Sequence, residues 1–237
     1  MLAFSPAFSQ ADNPISLYDH DRLIKEYLKD AFSLQKQTLL KFTTWPIPTE
    51  ITCEGLQQQD CRQGIDAVNQ AVHVGISFNL DFKTKPTQLE FQFVPAEAVE
   101  ERSAADSKLF AGGFMDKSDP DCQVFYSLRG SEIIDAKLLV SVGQASLRKR
   151  LCIQVQLFKA MGLHAFGDET FAEQWVHKPL GVQDSTEADF GPGVHSYFII
   201  EAIHACPQLH PGMKIDEARE SLHADETCLA KFTTPEK

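Results

Sequence analysis

The chain has 237 residues, 43% of them hydrophobic, and a formal net charge of −11. The length allows one large domain or two small ones, with enough apolar side chain for a real core. The charge excludes a phosphate-backbone binder, which needs clustered Lys and Arg, so no nucleic-acid partner is expected; the acids are spread along the chain and read as solubility.

Residues 1–11 resemble the tail of a signal peptide, with Ser9 and Ala11 in the small-residue positions before cleavage ahead of Asp12; the other reading is an ordinary disordered N-terminus. Residues 12–237 read as a single α+β domain without internal repeats or a linker. Leu23, Ile24, Tyr27, Leu28, Phe32, Leu39 and Leu40 recur at mostly helical spacing and predict a helix over 19–40. Trp45 to Pro48 ends it and opens an extended stretch, because residues before Pro avoid the helical region. A strand is expected from Thr49 to Cys53, then a helix over 60–75 with Asp60 as its N-cap. Ile76 to Phe82 and Leu89 to Val94 alternate as strands, the second with Leu89, Phe91 and Phe93 on one face. Residues 95–120 read as a long irregular loop with room for a short helix at 96–105. Cys122 to Leu128 and Ile133 to Val142 form a hairpin around Arg129-Gly130-Ser131.

Residues 147–163 form the most informative stretch. Leu147, Leu151, Val155, Phe158 and Gly162 fall along one helical face, while Arg148, Lys149, Gln156 and Lys159 fall largely outside it. Ser146 is a candidate N-cap, and Gly162 suits the C′ position, where φ is usually positive. Residues 164–193 are loop-rich, with a short helix at 169–177 and a turn at 191–193. An apolar helix follows over 195–205, and 216–223 closes the chain as a short helix. No apolar run approaches the roughly 20 residues that span a bilayer, so no membrane span is expected.

The six cysteines, Cys53, Cys61, Cys122, Cys152, Cys206 and Cys228, include no Cys-x-x-Cys pair, which disfavours a zinc ribbon or a thioredoxin-like site. Wide spacing and an even number fit disulfides in an exported protein; reduced, buried thiols in a cytoplasmic one are the other reading. The preferred pairing is Cys53–Cys61, Cys122–Cys152 and Cys206–Cys228. The second bond would staple a strand to the 147–161 helix.

That helix resembles the active-site helix of zinc metallopeptidases of the zincin type, His-Glu-x-x-His-x-x-Gly-x-x-His. There, two histidines one turn apart hold zinc and the glutamate polarises the bound water. With Gly162 as the motif glycine, the ligand positions hold Val155, Lys159 and Ala165, and the general-base position holds Gln156. None of the four can do the motif's work, since Val and Ala cannot ligate, an ammonium repels zinc and Gln has no titratable carboxylate. The same stretch resembles a bacterial family of exported proteins, the domain of unknown function 2927 family, through Cys152, Leu157, Met161, Gly162 and Leu163. Thr186 and Asp189 match a second element in part, and Pro207, Leu209, Pro211, Gly212, Met213 and Ala218 match a third. The resemblance covers roughly residues 40–220. It departs where Val155 and Gln156 replace paired glutamates, Lys159 replaces Gln, and residues 164–168 replace an Asn-Asp turn.

These resemblances imply a zincin-like α+β fold, a mixed β-sheet packed against two long helices. The function expected is a non-catalytic binding or structural module of the cell envelope, periplasmic or secreted, without a cofactor. A peptide or envelope protein would be its partner, at a pocket lined by Val155, Gln156, Lys159 and His164. The rival is a metal-dependent hydrolase at an atypical site near His164, Asp168 and His177, with Glu173 one turn before His177. His195, His204 and His210 read as capping and surface histidines. Gly-x-Ser-x-Gly and phosphate-loop motifs are absent from the sequence.

Overall fold

The structure is a computed structural model, and it describes residues 20–32, 38–73, 80–143, 146–163, 203–225 and 227. Its centre is a mixed six-stranded sheet ordered β2-β1-β3-β6-β5-β4. The strands are β1 (Ile47–Cys53), β2 (Leu80–Asp81), β3 (Leu89–Val94), β4 (Phe114–Asp119), β5 (Cys122–Arg129) and β6 (Glu132–Ser141). β2, β1, β3 and β6 run parallel, while β5 and β4 each pair antiparallel with the strand before them in that order.

The two faces of the sheet differ, and strand alternation explains why. Leu89, Phe91 and Phe93 of β3, with Leu138 and Val140 of β6 and Val124 and Tyr126 of β5, enter the main core. On that face lie α2 (Gln58–His73) and α4 (Ser146–Ala160), which pack together, with α4 against β5 and β6. A Cβ on Gly64 would stand 2.7 Å from the Phe93 ring, so the missing side chain lets α2 approach β3. The opposite face carries a smaller cluster, Val94, Val99, Phe110, Phe125 and Leu139, beneath α3 (Val99–Leu109). That face is also charged: Lys137 of β6 bonds Asp106 of α3 at 3.1 Å and Glu90 of β3 at 3.2 Å. Burial, together with the charges of Glu90 and Glu50, raises the Asp135 pKa there against the pull of Lys137. Both faces of β3 are therefore covered, as parallel interior strands require.

α1 (His20–Ala31) packs on the last helix, α5 (Ile215–Ala224). The helix expected over 19–40 stops at Ala31: Leu39 and Leu40 are buried, but in an extended segment. There the Leu39 N–H donates to Met213 O at 2.8 Å and the Gly212 N–H returns a bond to Leu39 O at 3.0 Å. The apolar spacing of Leu39 and Leu40 mimics a helical face where the chain pairs with distant backbone. α2 begins at Gln58, so Asp60 lies in its first turn rather than at its cap. Residues 95–120 are not one irregular loop. They hold a 3₁₀ turn (Ala96–Ala98) and α3, in the region of the short helix expected at 96–105 but running on to Leu109, and then β4, whose polar exterior resembles loop. β3 and the hairpin of β5 and β6 match expectation, with Gly130 at φ 64° in the connection. Of the expected strand from Ile76 to Phe82, residues 80–81 form β2 and 74–79 lie outside the described residues. Of the two long helices expected against the sheet, 147–161 is present as α4, and 195–205 lies largely outside the described residues.

Two disulfides are in place. Cys53–Cys61 ties the end of β1 to α2, and Cys122–Cys152 ties β5 to α4, with Cα atoms 5.7 and 6.1 Å apart. Cys206 is disulfide-bonded as well; Cys228 lies outside the described residues. Among the described residues no helix is long and apolar enough to cross a membrane.

Candidate functional site

α4 leaves β6 and runs back across β5 and β6, driven by a buried stripe. Ile153, Leu157 and Ala160, with Met161 just beyond, are fully buried, and Cys152 and Phe158 nearly so. This stripe differs from the one the sequence suggested. Lys149 and Gln156, expected outside it, are 2% and 3% exposed, whereas Val155 is only half-buried. Burial lowers the Lys149 pKa, and the Asp60 carboxylate on α2 partly opposes it. Gln156 reaches β5, its Nε2 donating to Cys122 O at 3.2 Å, while its buried Oε1 has no hydrogen-bond partner among the described residues.

Lys159 lies one turn beyond Val155. Its expected outward orientation is not what the fold gives: the side chain is largely buried and its Nζ bonds the Asp116 carboxylate of β4. Burial alone would raise the Asp116 pKa. Hydrogen bonds from Lys159 and Ser118 outweigh it and hold the carboxyl below its ordinary value. Beside this pair, Phe114 of β4 stacks on Tyr126 of β5 with ring centroids 4.9 Å apart. The chain enters β4 through Gly113, where a Cβ would fall on the Tyr126 carbonyl oxygen.

The C-terminal end of α4 shows why residue 162 is glycine. Gly162 has φ 94°, and a Cβ there would run into the Leu40 carbonyl oxygen. The Leu163 N–H then donates to Phe158 O at 3.2 Å, closing the helix as expected for a left-handed cap.

The structure thus places three of the four candidate pocket residues on α4 and separates their roles. Lys159 reaches Asp116 of β4, Val155 lies one turn before it on α4, and Gln156 reaches the β5 backbone. His164 and Ala165 lie outside the described residues, as do the metal candidates Asp168 and His177, with Glu173 and His195. Among the described residues no group of three or more His, Cys, Asp or Glu side chains is placed to hold a metal ion. His204, expected as a capping or surface residue, is fully buried and bonded through both ring nitrogens. Two partners escaped the sequence reading. Asp116 lies 43 positions from Lys159 in a stretch whose polarity resembles loop, and Lys41 lies 165 positions from its acceptor Cys206. No local pattern announces either.

No family model matches this chain, and no curated protein or solved structure matches it.

Proposed function

We propose that this chain is an exported, disulfide-stapled binding module on a zincin-like scaffold that has no catalytic zinc site, working in the periplasm or outside the cell. The observation that carries the reading is the engagement of α4. The residue at the general-base position, Gln156, is spent on the Cys122 carbonyl, and the one at a ligand position, Lys159, is paired with Asp116. A helix laid along a mixed sheet, ending in a left-handed glycine, supports the scaffold resemblance. The disulfides support an oxidising compartment.

The ligand expected is an extended peptide or a segment of an envelope protein, lying along β4 and the Val155–Lys159 side of α4. Among the described residues β4 is an edge strand of the sheet, a place where an extended chain can add. The test is zinc content and free thiols, measured together on protein from an oxidising compartment. No stoichiometric zinc and no free thiol is the result expected. Stoichiometric zinc that is lost in His164→Ala or His177→Ala would replace this reading with the metal-dependent hydrolase.

A further inference from the structure

Two basic side chains, both out of water, tie residues 203–209 to the rest of the core. Lys41 is 3% exposed, and its Nζ donates to the main-chain carbonyls of Cys206 at 2.9 Å and Leu209 at 2.8 Å. The Trp45 ring lies over the same amine, its centroid 5.5 Å away. The indole also meets His204 edge-on, with ring centroids 5.9 Å apart. His204 Nε2 is 2.8 Å from Met161 O, and Nδ1 is 3.0 Å from the Tyr27 hydroxyl. A carbonyl only accepts, so Nε2 carries a proton, and Nδ1 of the neutral ring accepts from the Tyr27 O–H.

Both bonding patterns are complete for the neutral base. A neutral amine has two protons to give, and Lys41 has two carbonyls to receive them. A second proton on His204 would take away the acceptor of the Tyr27 hydroxyl. The hydrogen bonds and β-bridges of this cluster bring together five titratable residues: Tyr27 of α1, Glu132 across the bridge to Lys41, His204, His210 next to Leu209, and Lys214 across the bridge at Thr38. The only carboxylate in that set, Glu132, accepts from the Thr43 hydroxyl at 2.8 Å on the exposed side. No carboxylate among the described residues pairs with the Lys41 amine. An ammonium here is a buried cation without a counter-ion, which is costly.

We propose that Lys41, with Trp45 and His204, forms a pH-sensitive clasp that seats residues 203–209 firmly when the Lys41 amine is neutral and loosens them when it is protonated. Burial holds the Lys41 pKa down at about 7. Once the segment is released, the amine returns to the ordinary lysine value of about 10.4. Between those values the released form binds more protons than the seated form, so the clasp tightens as pH rises through that window. Below about 7 both forms are protonated and Lys41 adds no further pH dependence.

The experiment is amide hydrogen exchange on the full, disulfide-intact chain from about pH 6 to about pH 10, corrected for the intrinsic rate, which brackets the window. Protection of amides in residues 203–209 should rise by up to about tenfold per pH unit above 7. Lys41→Met should abolish the slope. Protection that stays flat in the native chain, or a slope that survives Lys41→Met, overturns the clasp. If Lys41→Met does not fold, the Nζ titration of the native chain by NMR decides. A midpoint near 7 supports the clasp, and an ordinary lysine midpoint ends it.

Discussion

Asp116 and Lys159 meet across 43 residues, and the pair shows what a half-buried charge demands. With side chains 17% and 12% exposed, neither group keeps enough water to stand alone. Asp116→Asn leaves Lys159 without its carboxylate and should cost about 1–3 kcal/mol of unfolding free energy, read from urea midpoints. The pH dependence follows from the lowered carboxyl. Its contribution is fully present above the ordinary Asp value of about 3.9 and is lost as pH falls through the lower folded value. The native chain should therefore lose stability below about pH 4 more steeply than Asp116→Asn does, by acid unfolding curves. An equal acid limb in both proteins would show that the pair does not matter. The sequence disclosed the α4 half of this site, because Val155, Gln156 and Lys159 could be aligned on the motif glycine. It could not disclose Asp116, whose role depends on tertiary pairing of β4 with β5.

Elements differed in how plainly they showed themselves. β3 alternates Leu89, Phe91 and Phe93 with polar residues, the hairpin strands are apolar runs around Arg129-Gly130-Ser131, and both are where the pattern puts them. β4 reads Phe-Met-Asp-Lys-Ser-Asp, half-exposed along its length, and its polarity resembles loop. The overrun of α1 has the opposite cause: Leu39 and Leu40 are as apolar as a helix face demands, but they serve an extended strap between Met213 and Ser131. Spacing alone does not choose among the pairings that six cysteines allow; two of the preferred pairs are in place, and their loop sizes rank their effects. Cys122–Cys152 spans 30 residues and Cys53–Cys61 spans 8. Replacing both cysteines of the longer loop by Ala should cost about 3–4 kcal/mol, against about 2–3 kcal/mol for the shorter one. Denaturant unfolding of the two double variants checks the order. A larger loss from Cys53 and Cys61 would mean that native packing, not loop closure, sets these values.

At the scale of the whole molecule, one sheet with helices on one face and α3 on part of the other arranges the chain so that its last described segment returns to its first. Residues 38–42 run between the 209–213 turn and the start of β6, so the N- and C-terminal regions stabilise each other. The sheet must nevertheless end somewhere, and among the described residues its edges are the two-residue β2 and the longer β4. An outermost strand is a template on which copies of a protein can stack into aggregates. β4 carries the usual defences: a register shift between Asp116 and Asp119, and Lys117 held over the Phe125 ring at 5.8 Å. The irregularity shortens the regular ladder to Phe114–Asp116, so a partner strand would find only a few residues to grip. Replacing Lys117 and Ser118 by Val would lengthen the apolar edge. Light scattering on concentrated samples should then show self-association that the native chain resists. The same narrow window that keeps copies apart would make the molecule selective, admitting a short extended segment where a long one fails.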